Sequence, residues 1–151
     1  MPGKKVVRRQ LLVALGAIFN EKGEILISRR NDPHNRGVHN KWEFPGGKVE
    51  FAEHPSETIV RETKEEVGII ADVENLFNIY NNFHPDRPHI QIVLLFYVLK
   101  MRLGQIPIAD AKEVKEVRFV TLEKAHTMDL LPGNKAIVRE LQKAYNNRRY
   151  D

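Results

Sequence analysis

The segment 47–69 constrains the fold of this chain most, because it has the pattern of a helix and yet concentrates acidic side chains. Pro55 is tolerated in a first helical turn, where its missing N–H would have no partner. Gly68 can adopt the left-handed conformation that ends many helices. Between these two residues, a mostly apolar stripe recurs at spacings of three and four and predicts one buried face: Ile59, Val60, Thr63 and Val67.

The acidic residues of this helix are arranged unfavourably for stability. Glu62, Glu65 and Glu66 share a second face, since residues three and four apart are neighbours on a helix. The last two lie in the final turn, at the negative end of the helix dipole. Two like charges ~4 Å apart repel by roughly 4 kcal/mol at a surface-like dielectric of ~20. Arg61 can relieve only part of that repulsion.

A divalent cation accounts for this acidic face better than simple solvation, which is the usual meaning of clustered glutamates. Solvation leaves unexplained why Gly46 and Gly47 precede the helix and why Glu53 lies on the approach to it. Carboxylate oxygens select hard ions, so Mg²⁺, with Mn²⁺ as the alternative, is expected rather than Zn²⁺. Such ions usually reach a protein through a few carboxylates together with substrate phosphates.

The segment resembles the Nudix box, which runs glycine, five residues, glutamate, seven residues, then R-E-x-x-E-E-x-G and an aliphatic residue. The letters WEFPGG at 42–47 are similar to the lead-in of MutT-type members. Thr63 is the one departure, because the family usually has an aliphatic residue there. In a helix, a threonine hydroxyl can bond back to the carbonyl four residues earlier. The resemblance implies an α/β/α sandwich with a mixed central sheet, over about residues 10–145.

The resemblance also implies roles for the residues of the box. Glu62 and Glu66 would be the principal metal ligands, and Glu65 and a backbone carbonyl of Gly46 or Gly47 would complete the set. Glu53 would lie near the metal. Arg61 would orient the glutamates rather than touch the substrate.

A further acid is expected from the loop before a late strand, where Glu113 and Glu116 both fit. We favour Glu113, because it lies six residues before Phe119, as in MutT-type members. Either residue could instead be a solvated loop charge. The general base is left open between Glu62 and Glu113, acting on a metal-bound water.

Five further residues fall where MutT-type proteins place groups that hold phosphates, sugar and base. Phe44 could stack on a base, and Asn134 could bond to its edge with a donor and an acceptor. Each has a structural alternative: Phe44 as core, Asn134 as the N-cap of the last helix, the others as surface or turn charges. The full set is Arg30, Phe44, Asp86, Arg87 and Asn134.

The expected activity is Mg²⁺-dependent hydrolysis of a nucleoside triphosphate to a nucleoside monophosphate and pyrophosphate, with an oxidised purine and a pyrimidine equally open. Pro85 falls sixteen residues after Ile69, close to a proline that marks ADP-ribose-cleaving members of the family. ADP-ribose or another nucleoside diphosphate derivative is therefore the alternative substrate. A non-catalytic nucleotide sensor is a third reading, which the intact glutamates argue against.

Composition and charge are those of one globular domain spanning 1–151, with 42% hydrophobic and 29% charged residues. The absence of cysteine suits a reducing cytoplasm. The net charge of +4 comes largely from basic residues near the two ends, which favours solubilising tails over a nucleic-acid partner. A homodimer is left open. These basic residues are Lys4, Lys5, Arg8, Arg9, Arg148 and Arg149.

The apolar run 11–19 follows basic residues, as a signal peptide would, but a buried strand explains it better. Cleavage would remove the hairpin partner of a second strand, 24–30. Further strands are expected at 69–83, 89–101 and 117–122, although 72–75 interrupts the apolar pattern of the first. Helices are expected at 122–128 and beyond Pro132, and long loops at 31–40 and 103–115.

Overall fold

A mixed seven-stranded sheet forms the centre of the computed structural model, which describes residues 3–84 and 86–146. The strand order is β3-β2-β1-β6-β5, with β4 beside β1 and β7 beside β2. The β1–β6 ladder is parallel, and the other ladders between these strands are antiparallel. The strands are β1 (Arg9–Phe19), β2 (Ile25–Arg30), β3 (Trp42–Glu43), β4 (Gly46–Lys48), β5 (Ala71–Phe83), β6 (Ile90–Met101) and β7 (Val114–Val120), and the helices are α1 (Pro55–Val67), α2 (Leu122–Thr127) and α3 (Asn134–Asn146).

Helices cover both faces of this sheet, so the predicted α/β/α sandwich is confirmed. On one face, Ile59 and Val67 of α1 pack in a cluster with residues of β1, β2 and β6, such as Ile18. On the other face, Val138 and Leu141 of α3 pack in a second cluster with α2 and the opposite side of the same strands. Each face therefore has its own apolar core, and the helix that carries the acidic residues lies alone against one of them.

The predicted first strand is confirmed, but its hairpin with the second is short. β1 and β2 pair only at Phe19 and Ile25 beside their turn. Beyond that point β4 lies along β1, from Val13 to Leu15, while β2 pairs with β7 instead. The two strands thus separate, and the glycines of β4 occupy the opening next to α1.

The polar interruption at 72–75 is a β-bulge within a continuous strand. The register of β5 against β6 shifts between Val73 and Asn75 and again between Leu76 and Asn78. An extra residue on one strand breaks the alternation of inward and outward side chains, which is why the apolar pattern fails there.

Other boundaries differ from the sequence prediction by a few residues. β7 begins at Val114, three residues earlier than predicted, because Val114 pairs with Arg30. The short strands β3 and β4 were not predicted, since two or three residues carry no periodicity. No helix in the described part of the chain is long and apolar enough to cross a membrane. Pro85, Arg148 and Arg149 lie outside the described residues.

Candidate active site

The acidic helix α1 begins and ends as its sequence indicates. His54 is the N-cap and accepts a hydrogen bond from Ser56 N through Nδ1 at 3.1 Å, and Pro55 is the first helical residue. Gly68 ends the helix with φ of 68°, in the left-handed region, and its N–H donates to the Lys64 carbonyl. The buried stripe consists of Thr58, Ile59, Thr63 and Val67, so the predicted apolar face is turned to the sheet.

Thr63 does not make the bond to the i−4 carbonyl that helical threonines can form. Its side chain is completely buried, and its hydroxyl has no hydrogen-bond partner among the described residues. The departure from the family pattern therefore affects stability, because an unsatisfied buried hydroxyl costs free energy.

Glu62 and Glu66 converge on the backbone of Gly46 and Gly47. The N–H of Gly46 donates to Glu66 Oε2 at 3.4 Å. A Cβ atom on Gly47 would lie only 2.7 Å from the Glu62 carboxyl group, and one on Gly46 would lie 2.1 Å from the Ala14 carbonyl oxygen. A side chain on Gly47 would thus crowd the Glu62 carboxylate, whereas a side chain on Gly46 would meet β1.

The electrostatics of this pair fit a divalent cation. Burial, followed by the charge of Glu62 and a hydrogen bond to it, raises the pKa of Glu66 well above its usual range. A buried carboxyl group beside a second carboxylate resists ionisation unless a cation offsets the negative charges. Hard oxygen donors, from carboxylates and backbone carbonyls, are the ligand chemistry of Mg²⁺ and Mn²⁺. The residues present therefore fit the metal that the sequence predicts.

Arg61 organises the remaining acids of the box. Its Nε and Nη2 donate to the two carboxylate oxygens of Glu53, at 2.8 and 3.1 Å, and its Nη1 donates to Glu62 Oε1 at 2.9 Å. Thr58 Oγ1 also donates to Glu53, at 2.6 Å. The hydrogen bonds from Arg61, then from Thr58, lower the pKa of Glu53 to about 2. Glu53 is thus an ionised anchor for Arg61, and Arg61 orients Glu62.

Glu65 stands apart from the other two glutamates. Its side chain is 59% exposed, against 16% for Glu62, and it bonds to Arg61 at 3.2 Å. In the part of the chain that the structure describes, no three acidic or histidine side chains are grouped as a ready-made metal site. A metal at Glu62 and Glu66 would accordingly need further ligands from the backbone, the substrate or water.

Glu43 is a site residue that sequence reasoning missed. It belongs to β3, and its carboxylate lies 3.7 Å from Arg30 Nη1. Burial, which the Arg30 charge opposes and the charges of Glu113 and Asp32 reinforce, raises the pKa of Glu43 to about 7. Its own charge also contributes to the raised pKa of Glu66. Alternation was the available signal, because apolar Trp42 and Phe44 on either side imply that Glu43 faces the opposite side of the sheet.

The structure separates the two candidates for the distal acid. Glu116 forms ion pairs with Arg29 at 3.2 Å and with Arg118 at 2.5 Å. Both guanidinium groups lie over the Trp42 ring, at 5.8 and 5.2 Å from its centroid. Glu113 instead acts through its charge on Glu43. Glu113 therefore lies within electrostatic reach of Glu43, whereas Glu116 is paired with two arginines.

Phe44 and Asn134 are joined by a hydrogen bond that the sequence did not predict. The Phe44 ring is buried edge-on against Phe96, with centroids 4.9 Å apart, and this burial is the core alternative for that residue. Asn134 is the first residue of α3, and its Oδ1 accepts from Phe44 N at 3.4 Å instead of capping the helix. The first turn is closed by Ile137 N donating to the Gly133 carbonyl.

The remaining predicted substrate residues are separate. Arg30 lies between Glu43 and Asp32, at 3.7 and 3.9 Å, distances too long for hydrogen bonds. Asp86 and Arg87 are exposed in the turn between β5 and β6, where their backbone N–H groups bond to His84. No described hydrogen bond or ion pair joins their side chains to α1.

The chain has recognisable relatives among known proteins. The domain profile described as NUDIX domain matches residues 9–141. The chain is 35% identical over 136 residues to an 8-oxo-dGTP diphosphatase of Escherichia coli K12, covering 89% of this chain and 98% of that protein. It is 32% identical over 111 residues to an ADP-ribose pyrophosphatase of Methanocaldococcus jannaschii, covering 73% of this chain and 62% of that protein.

The fold has a counterpart among solved structures. The crystal structure of a MutT protein from Methanosarcina mazei Go1 superimposes with a TM-score of 0.74 and 26% identity, covering 93% of this chain and 98% of that chain. The sequence similarity and the fold similarity therefore both extend over most of the chain.

Proposed function

We infer, since this chain belongs to the NUDIX family of hydrolases, that it hydrolyses a nucleoside triphosphate to a nucleoside monophosphate and pyrophosphate. The observation that carries this proposal is the convergence of Glu62 and Glu66 on the backbone of Gly46 and Gly47. The similarity to an 8-oxo-dGTP diphosphatase over nearly the whole of both chains supports a triphosphate substrate.

Glu62, Glu66 and the backbone at Gly46 and Gly47 would hold Mg²⁺, or Mn²⁺ in its place, and Glu65 could join when Arg61 releases it. When bound, such an ion supplies positive charge against phosphate oxygens and lowers the pKa of water. Arg61, anchored by Glu53, keeps the Glu62 carboxylate in place, because its guanidinium bonds to both acids.

The protein's own residues would complete the reaction around this pair. A water oxygen attacks the α- or the β-phosphorus, and the bond from that phosphorus to the oxygen that bridges the two breaks, which releases the nucleoside monophosphate and pyrophosphate. Glu62 or Glu113 takes the proton of the attacking water. The Arg30 guanidinium lies 3.9 Å from Asp32 and 3.7 Å from Glu43, too far for hydrogen bonds to either. Its N–H groups can therefore donate to a phosphate.

Base recognition would involve Asn134 and the backbone of Phe44. The Asn134 oxygen already accepts from Phe44 N, while its amide N–H groups have no partner among the described residues. They are therefore donors for an acceptor on the base edge. Oxidised purine and pyrimidine triphosphates both offer such acceptors, so the preference between them is a matter for measurement. Asp86 and Arg87 would contribute only if the turn that carries them meets the substrate.

The test is hydrolysis of a nucleotide panel with Mg²⁺, in which pyrophosphate and phosphate are measured separately. The panel holds standard and oxidised nucleoside triphosphates, ADP-ribose and a dinucleoside polyphosphate. Pyrophosphate release by the wild type that is lost in Glu66→Gln would support the proposal. Glu57→Gln is the matched control, since Glu57 is an exposed acid of the first turn of the same helix.

Two other outcomes would redirect the proposal. AMP and ribose phosphate from ADP-ribose, without turnover of triphosphates, would favour the second candidate, which the similarity to an ADP-ribose pyrophosphatase supports. No turnover of any compound, together with a higher melting temperature in the presence of a nucleotide, would indicate a sensor. In that case the assignment of a catalytic role to Glu62 and Glu66 would be wrong.

A further inference from the structure

We propose that Asn31 is a positioning residue, which holds segment 111–113 and thereby sets where the Glu113 carboxylate lies relative to Glu62 and Glu66. Asn31 is the first residue after β2, and it touches neither the box nor Glu43 through any described hydrogen bond. The inference rests on the proposed function, because the position of Glu113 matters only if phosphoanhydride hydrolysis takes place at those glutamates.

Asn31 holds three consecutive carbonyl groups. Its backbone N–H donates to the Glu113 carbonyl at 2.8 Å. Its side-chain Nδ2 donates to the carbonyl of Ala111 at 3.0 Å and to that of Lys112 at 3.4 Å. An amide is well suited to this task, because it offers two N–H donors and carries no charge.

Apart from Asn31 and the pairing of the following residue, Val114, with Arg30, few contacts hold this segment. Ala111, Lys112 and Glu113 are all exposed, so their side chains contribute no buried packing. Within the segment, the N–H groups of Lys112 and Glu113 bond only to the neighbouring Asp110. An exposed segment without packing depends on its hydrogen bonds for a fixed position.

The other end of the segment is joined to the acidic helix. Asp110 N donates to the Glu66 carbonyl at 2.9 Å, and Ile108 N donates to the Val67 carbonyl at 2.9 Å. The segment thus bridges the end of α1 and the end of β2. Asn31 and the pairing of Arg30 with Val114 form the β2 side of this bridge. Loss of the Asn31 side-chain donors would release the carbonyls of Ala111 and Lys112, and Glu113 would then be held on this side by backbone bonds alone.

The test compares Asn31→Asp with Asn35→Asp. The first substitution keeps the shape of the side chain, removes both donors and places a carboxylate beside two carbonyl oxygens. The second makes the same change of charge at an exposed asparagine of the same loop. We expect Asn31→Asp to lower kcat about 10- to 100-fold, as loss of an outer-shell support typically does, with little change in KM. Asn35→Asp should leave both constants near their wild-type values.

Two further measurements distinguish positioning from a merely structural role. In a Glu113→Gln background, Asn31→Asp should have almost no additional effect on kcat, because residues that act through one another are not additive. In the metal-free protein, Asn31→Asp should speed amide hydrogen exchange in a peptide covering 110–114, whereas Asn35→Asp should not.

An equal loss of kcat in the wild-type and Glu113→Gln backgrounds would overturn the proposal, as would unchanged exchange in the 110–114 peptide. If the wild type is active and Glu113→Gln is equally active, the inference fails while the pyrophosphohydrolase stands. If the wild type turns over no compound of the panel, the proposed function fails, and the positioning role of Asn31 fails with it.

Discussion

At the scale of single residues, the two glycines of β4 are required for different reasons. Gly46 has φ of 151°, and a Cβ there would meet the Ala14 carbonyl oxygen and the backbone of Leu15. Gly47 has no positive φ, and the three atoms nearest to an added Cβ all belong to the carboxyl group of Glu62. The first glycine is therefore required by the fold and the second by the site.

Alanine substitutions should distinguish the effect of Gly46 on stability from the effect of Gly47 on activity. Gly46→Ala is expected to destabilise the protein by about 1–3 kcal/mol, since the rigid backbone of β1 cannot move aside. Gly47→Ala is expected to leave stability nearly unchanged and to lower kcat, because the flexible Glu62 side chain is displaced instead. Thermal unfolding and steady-state kinetics of the two variants check this. Unfolding of Gly47→Ala as severe as that of Gly46→Ala would contradict it.

At Thr63, in contrast, we expect a substitution that increases stability, because the hydroxyl there is buried without a hydrogen-bond partner among the described residues. Thr63→Val replaces an unsatisfied hydroxyl by a methyl group of similar size, so the free energy of unfolding should rise by about 1 kcal/mol. For a domain of this size, that corresponds to a melting temperature higher by about 2–4 °C. Thr63→Ser, which keeps the hydroxyl and loses the methyl group, is the control and should be less stable than the wild type.

At the scale of elements, the approach loop and α1 are joined by one anion and one cation. Glu53 lies before the helix and Arg61 lies within it, and their two hydrogen bonds are parallel. Paired geometry of this kind fixes orientation as well as adding energy. The sequence showed both residues, but only the fold shows that the anion is turned to the arginine rather than to the glycines.

This link should make stability depend on pH on the acidic side. The pKa of Glu53 is lowered from 4.5 to about 2, so its contribution is complete above pH 4.5 and is lost as the pH falls toward 2. The difference in melting temperature between the wild type and Glu53→Gln should be largest above about pH 5 and shrink toward pH 2. A difference that does not change over this range would show that the charge of Glu53 contributes nothing.

The part of the site that β3 and β4 carry could not be predicted from sequence periodicity. β3 and β4 have two and three residues, too few for any periodic signal. Yet β3 carries Glu43 to Arg30, and β4 carries the glycines to Glu62 and Glu66. For α1, in contrast, the start, the end and the buried face could all be predicted from its own residues.

At the scale of the whole molecule, ligand binding and stability are linked. A ligand that binds only the folded chain raises its stability, by about 2.7 kcal/mol at one hundred times the dissociation constant. The chain is expected to unfold as one domain in a single transition, so this gain should appear as a higher melting temperature.

Mg²⁺ should therefore raise the melting temperature of the wild type in a concentration-dependent way. Glu66→Gln should lose most of that shift, because it removes one of the two carboxylates that converge on Gly46 and Gly47. Glu57→Gln should keep it. Equal shifts in all three proteins, measured by differential scanning fluorimetry, would place the ion elsewhere.

The sequence by itself determined the acidic helix, its caps, its apolar stripe and the family pattern, because each of these depends on residues near one another in the chain. Only the tertiary structure decided that Glu62 and Glu66 converge while Glu65 turns outward, and that Glu43 faces Arg30. It also decided that Glu116 is held by arginines, whereas Glu113 is tied through its carbonyl to Asn31. These relations join residues that are distant in the chain, and sequence spacing carries no information about which strands separate and which loops meet.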